Sequence, residues 1–367
     1  MKFISFFISS KIYMFRLPVL DRRCAFHAIG RRTIILLSSV SLILCSMFSL
    51  AQAGEAPPGK KKVVFWNLFT TSYSHSAITE IVKRFNDSSK VYWVEKIDIP
   101  YQHIHSKMLP AIAGGTPPDV SIFDRFLVAS YAARSAFEPL DDRIKADGIR
   151  GEDFFEAPWG ECIYNKHQFA VPYDTDVRVM YYNKKMFREA GLDPEKPPQT
   201  WSELREYSRK LTKRSNGGKL DQVGCVPIWG NTGGLYLYGW QKGAQFMSDD
   251  GRKVMLDEPA NVAALEWVHE FIKEYGIEDL AMLQTGFGMD AQNPFITGKI
   301  AMIAMDVGEL STIQKYGKGM EWGVAPCPYA DDGQPATWSG GFSMVIPKGA
   351  QNADGGWELC KFIMSEE

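Results

Sequence analysis

Positive charge is not in excess in this chain: 41 Lys and Arg stand against 43 Asp and Glu, for a formal net charge of -2 over 367 residues. That balance removes the electrostatic footprint that nucleic-acid binding requires, so no nucleic-acid partner is expected. Cysteine is scarce, six in all, and only Cys162, Cys225, Cys327 and Cys360 lie beyond residue 53. Their spacing selects no disulfide pairing and equally allows buried thiols. Histidine also numbers six, and the pair His103 and His105 has no further His or Cys nearby to complete a metal site. On a helix the two would diverge. No glycine-rich phosphate loop is present, and no Ser-His-Asp order that would carry nucleophilic catalysis. No cofactor is expected.

A long membrane-spanning run is also wanting. Arg31 and Arg32 precede an apolar stretch from Thr33 to Leu50, which ends at Ala51-Gln52-Ala53. The stretch is marginal in length and carries several serines, so it reads as a secretory signal cleaved after Ala53 rather than as an anchor. The segment before it is long for a signal, Met14 is an alternative start, and the arginine pair also permits twin-arginine export. Cys45 follows Leu44, where lipidation needs a small residue, so a lipid anchor is not expected.

What is present is aromatic: ten Trp and fifteen Tyr in a chain of 45% hydrophobic residues. Such rings serve either as core or as stacking surfaces for sugars. The length suits two domains. Val63 to Trp66 is an apolar strand, His75 to Phe85 a helix with Ile78, Ile81, Val82 and Phe85 on one stripe, and Tyr92 to Ile99 a strand. A helix from about Gln102 stops at Gly114-Gly115, and Asp119 to Phe123 follows as a strand. This β-α-β-α-β order predicts a parallel sheet with ligands outside the carboxyl ends of its strands. Further on, Ala260 to Tyr275 is an amphipathic helix with Val262, Leu265, Val268 and Ile272 inward. Gln292 to Thr297 reads as a short helix, Lys299 to Met305 as a buried strand, and Trp322 to Pro326 as another strand.

The stretch Phe169 to Leu204 organises the rest. Phe169 to Val171 reads as a strand stopped by Pro172, and the joint Tyr173-Asp174-Thr175-Asp176 leads into a second strand, Val177 to Tyr182. Lys184 to Ala190 is a short helix ended by Gly191, and Thr200 with Glu203 forms a capping box for the next one.

In order and spacing, VPYDTD, YYNKKMFREAGLD and PPQTWSEL resemble the family-1 extracellular solute-binding proteins of ABC sugar importers, of which maltose-binding protein is the familiar member. LPAIAGGTPPDVSIFDR, FEPLDD at Phe137 to Asp142, and the set Phe295, Gly298, Lys299, Ala301 and Met302 extend the likeness, as does SGGFSMVIPKGAQN from Ser339 to Asn352. The resemblance implies a two-lobed α/β periplasmic-binding-protein fold with hinge crossings between lobes. Lobe 1 would comprise residues 60–173 and 324–346, lobe 2 residues 177–322 and 349–367, with crossings near Pro172 to Val177 and Ile346 to Gly349. A closing element is expected beyond Glu367. It further implies a monomeric periplasmic receptor without enzymatic activity, which binds a sugar or polyol and delivers it to permease subunits in the inner membrane.

A sugar offers hydroxyls for carboxylates and a ring face for aromatic carbon, so the cleft candidates are acidic or aromatic. They are Trp66, Asp124, Tyr173, Asp176, Trp240, Asp306, Trp338 and Phe342, with Gly340 and Gly341, where small residues let backbone N–H groups approach a ligand. Asp124 with Arg125 and Phe126 is similar to the family's Asp-Arg-Phe, whose Asp takes sugar hydroxyls; the plain alternative is a surface ion pair. Between Asp174 and Asp176 the family pattern favours Asp176. Trp66 serves as core or as a stacking ring. Trp229 and Trp240 flank a glycine-rich loop, and Asp306 stands where the family presents a Trp. Two other chemistries compete: ferric binding by Tyr181 and Tyr182, and glycoside hydrolysis by Asp124 and Asp176.

Overall fold

A computed structural model describes residues 54–70, 72–228, 233–248, 250–288 and 290–365. The expected signal segment and Trp229 lie outside the described residues. One compact unit runs from Glu55 to Glu367. Its strands are β1 (Lys61–Asn67), β2 (Tyr92–Asp98), β3 (Val120–Asp124), β4 (Ile163–Tyr164), β5 (His167–Gln168), β6 (Ala170–Pro172), β7 (Arg178–Asn183), β8 (Lys213–Arg214), β9 (Leu220–Cys225), β10 (Ile300–Asp306), β11 (Trp322–Ala325) and β12 (Phe342–Val345).

These strands build two mixed five-stranded sheets and a small hairpin of β4 and β5. The first sheet has the order β2-β1-β3-β12-β6. β1 lies parallel to β2 and to β3, as the β-α-β-α-β pattern requires, with helices Ser72–Ser88 and Tyr101–Ala113 as the crossovers. Along β1 the residues Val63, Phe65 and Asn67 are fully buried while Val64 and Trp66 are half covered. Ile78, Val82 and Phe85 bring the first crossover helix onto that core. The second sheet has the order β11-β7-β10-β9-β8, with β10 antiparallel to β7 and parallel to β9. Its core gathers Tyr181, Phe187, Trp201, Phe271, Phe295 and the buried run of β10.

The chain passes between the sheets twice, and the second passage is not at Ile346 to Gly349. β11 hydrogen-bonds along β7 in the second sheet, and β12 pairs with β3 and β6 in the first, so the passage falls between them, at Trp338 to Gly341. Residues after it stay with the first sheet, which corrects the expectation for residues 349–367. Helix Ala353–Met364 buries Trp357, Leu359 and Cys360 in the first core, each worth roughly 1.5–3 kcal/mol if fully buried. Its start is pinned twice: Asp119 accepts from the amides of Val64 at 2.8 Å and Asn352 at 2.6 Å, and Asn352 caps the helix by accepting from Gly355 N.

Three local expectations also change. Helix Pro259–Lys273 turns Asn261, Ala264, Val268 and Phe271 inward and leaves Val262 and Leu265 exposed. Asn261 fixes that phase by donating to the carbonyls of Gln245 and Met255 against Gly239. In place of the helix expected over 292–297, Gln292 ends a short 3-10 helix and residues 294–298 form turns, because Asn293 accepts from Phe295 N and Pro294 follows it. The cysteines left open by spacing are all free and buried. Among the described residues no helix is long and apolar enough to cross a membrane.

Candidate functional site

The two passages run side by side as an antiparallel ribbon. Tyr173 N donates to Phe342 O, Asp176 N to Gly340 O and Arg178 N to Trp338 O. Asp174 Oδ1 accepts from Phe342 N at 2.7 Å, and Asp176 Oδ1 from Gly340 N at 2.9 Å. Tyr173, Asp176, Trp338, Gly340, Gly341 and Phe342, scattered over 170 positions of sequence, therefore meet in one strip.

Asp124 joins this strip from the first sheet. It ends β3 opposite Phe342 and is 4% exposed. Helix Tyr101–Ala113 presents Tyr101 and His105, one turn apart, to the same carboxylate. His105 Nε2 lies 2.6 Å from Asp124 Oδ2, yet the two atoms are not aligned for a hydrogen bond and both are shut off from solvent. Burial, then the Asp124 charge, push the Tyr101 phenol up to about 12. Phe342, opposite Asp124 in the ladder, heads a run of aromatic rings: it meets Phe69 edge-on at 5.1 Å and Tyr101 at 6.3 Å, and Phe69 meets Tyr173 at 5.5 Å. Phe69 is held there by Asn67, whose amide donates to Phe69 O and to Asp98 while its oxygen accepts from Phe69 N. Tyr101, His105, Asn67 and Phe69 were not singled out from sequence for this role; the i, i+4 spacing of Tyr101 and His105 was the available signal.

Arg125 is the larger surprise. The neighbour of Asp124 is no surface ion-pair residue: it is 2% exposed and donates to Glu161 Oε2 at 2.8 Å, to Gly340 O at 2.5 Å and to Asp174 O. Phe126 beside it is 59% exposed. Asp174, the carboxylate passed over, is half-buried like Asp176. Burial pushes it up to about 6, with Phe342 N and Arg125 pulling down and the charges of Asp176 and Asp124 adding to the rise.

On the second sheet, Asp306 ends β10 opposite Arg178 and accepts from Gly308 N at 2.9 Å. Arg178 pairs with Asp176 and lays its guanidinium 4.0 Å over the Trp338 ring, while a β-carbon at Gly233 would strike the same indole. Trp338 is thus packed by protein rather than left as an open stacking face. Gly340 does not offer its N–H to a ligand either, since Asp176 takes it. Trp66 packs between the two hydrophobic clusters of the first sheet. Trp240 sits in a separate ring cluster with Tyr236 and Phe246, on helix Gly234–Gln241. A cavity of about 580 Å³ opens beside the first passage, lined by Phe154, Phe155, Tyr173, Asp174, Thr175 and Met364 among others. It does not include Asp124, Asp176 or Trp338.

Neither competing chemistry gains from this arrangement. Tyr181 and Tyr182 are successive residues of β7, on opposite faces, both buried, and burial raises both phenols away from the phenolate an iron site needs. Asp176 is already engaged by Arg178 and Gly340.

Matches to known proteins cover most of the chain. The family model described as bacterial extracellular solute-binding protein matches residues 71–367. The sn-glycerol-3-phosphate-binding periplasmic protein UgpB of Escherichia coli (strain K12) is 27% identical over 294 residues, 74% of this chain and 63% of that one. This chain thus spans less than two thirds of that relative's length. Among solved structures, CpMnBP1 with mannobiose bound is 26% identical, with a TM-score of 0.76 over 83% of this chain and 78% of that one. UgpB from Mycobacterium tuberculosis in complex with glycerophosphocholine is also 26% identical, with a TM-score of 0.67 over 83% and 74%. The two-sheet α/β architecture is therefore that of the two-lobed binding proteins, and this chain belongs to the bacterial extracellular solute-binding proteins.

Proposed function

We propose that this protein is the periplasmic substrate-binding receptor of an ABC importer, taking a sugar or related polyol between its two lobes and handing it to the membrane permease. The observation that carries the reading is Asp124: a buried carboxylate at the carboxyl end of a sheet strand, 2.6 Å from His105 Nε2 without an aligned hydrogen bond, beside Tyr101 and opposite Phe342, whose rings meet each other. A hydroxyl-rich solute meets such a group with its O–H donors and lays its apolar ring face on the aromatic carbon. Asp306 contributes from the end of β10 in the second sheet, and Asp176, through the oxygen not held by Arg178 and Gly340, from the passage beside it. The lobes correspond to the two sheets, and the ribbon between them is the hinge. Binding favours the closed form only by its greater affinity for that form, so the mechanism is hinge closure without covalent chemistry, and the protein is no enzyme.

Thermal unfolding against a panel of mannobiose, maltose, sn-glycerol-3-phosphate and glycerophosphocholine tests this reading. A ligand at 100 times its Kd stabilises by about 2.7 kcal/mol, a clear rise in unfolding temperature. The reading expects such a rise with at least one member, recovered unchanged. Release of reducing ends, or no response to any sugar or polyol ester, contradicts it.

A further inference from the structure

We propose that Arg125 is a positioning residue that latches the two inter-sheet passages together and thereby sets the resting angle between the lobes. The inference rests on the hinge reading above but not on the identity of the solute. Arg125 starts helix Arg125–Ala132 directly after β3, so its backbone is part of the first lobe. Its guanidinium spends one donor on Glu161, one on the Asp174 carbonyl of the first passage and one on the Gly340 carbonyl of the second. A planar, five-donor fork can address three acceptors on three chain segments at fixed angles; a lysine cannot.

Two further features mark the contact as built rather than incidental. Arg125 is among the largest fully buried side chains, and a buried cation is tolerated only when its donors are satisfied. Gly341 has φ of +134°, and a β-carbon there would run into Arg125 Nη1 and the Asp174 carbonyl. Position 341 is thus held open for the guanidinium. Asp174 and Gly340 stand where the ribbon leaves β6 and β12, so a rotation of the second lobe that displaces either passage there lengthens, breaks or exchanges the Arg125 bonds. Since Asp124 is the next residue, the same latch orients the proposed ligand carboxylate.

The test measures the ligand-free protein. Spin labels at Asp142→Cys and Glu266→Cys, both exposed and on opposite lobes, report the inter-lobe distance distribution, and Cys162, Cys225, Cys327 and Cys360 are buried. The wild-type distribution is expected to be narrow and to broaden at least twofold in Arg125→Met. Arg125→Lys, which keeps the charge but not the fork, should resemble Arg125→Met. Wild-type width in a folded Arg125→Met or Arg125→Lys overturns the proposal. Should neither fold, Glu161→Gln and Gly341→Ala decide: broadening in both supports the latch, and wild-type width in both overturns it. Because no solute is present, broad variants beside a solute panel that gives no response would leave the latch standing while removing the sugar-receptor reading.

Discussion

His105 Nε2 and Asp124 Oδ2 stand 2.6 Å apart in a niche closed to solvent, and neither satisfies the other with an aligned hydrogen bond. A buried polar atom left in that condition is costly, and in the proposed function the opening of this niche to a ligand hydroxyl relieves that cost. Asp124→Asn keeps the shape and removes the charge. Hydrogen bonds to a charged group contribute about 1.5–3 kcal/mol, so the substitution should weaken solute binding roughly 10- to 100-fold with little change in thermal unfolding. Titration calorimetry with the solute found by screening checks this; unaltered affinity removes Asp124 from the site.

Asp174 gives the stability of the fold a pH dependence of definite sign. Its carboxyl is pushed up to about 6 by burial, against about 3.9 in an unfolded chain. Between those values the folded state holds a proton that the unfolded state releases, so stability is full below about pH 4 and declines as the pH rises through 6. Glu309, raised to about 6 by burial and by Asp306 and Asp290, adds a contribution of the same sign. Asp174→Asn retains an acceptor for Phe342 N and should flatten part of the decline, by up to about 2 kcal/mol between pH 4 and 7. Urea unfolding across that range measures it.

Trp338 carries a prediction that separates packing from stacking. With Arg178 on one face and Gly233 against the indole, Trp338→Phe should cost about 1 kcal/mol or more of stability through a weakened cation–π contact and lost packing. Solute affinity should change less than threefold. A large loss of affinity with unchanged stability would show the ring to be a stacking platform after all.

Gly356 tests the placement of the last helix. A β-carbon there would overlap the Asp119 carbonyl of the first sheet, which also anchors Asn352 through its side chain. Gly356→Ala should destabilise the protein by roughly 1–3 kcal/mol, as overpacking does. A neutral effect in chemical unfolding would mean the helix is not docked on that sheet.

Much of this was legible in the chain because periodicity speaks directly about one element at a time. The apolar runs of β1, β3 and β10, the stripe Ile78–Val82–Phe85, and the Thr200 cap of helix Trp201–Leu211 each depend on neighbours in sequence. What escaped depends on distant partners. The second passage was displaced to Ile346 because an apolar run such as Phe342–Val345 does not say which sheet it joins; pairing with β3 and β6 does. The burial of Arg125 could not be read from its neighbours, where a surface ion pair with Asp124 was the plain alternative, because its three acceptors lie 36, 49 and 215 positions away. At the paired glycines the space a β-carbon would need is taken from within the protein, by Trp338 and Asp176 at Gly340 and by Arg125 and Asp174 at Gly341.

The central claim is closure of two lobes over a solute gripped through Asp124. X-ray scattering of the protein, with and without a saturating concentration of the sugar or polyol that raises its unfolding temperature, tests it most directly. The radius of gyration is predicted to fall on binding in the wild type and to stay constant at the same concentration in Asp124→Asn. Equal radii for the empty and the fully occupied wild type would contradict the account.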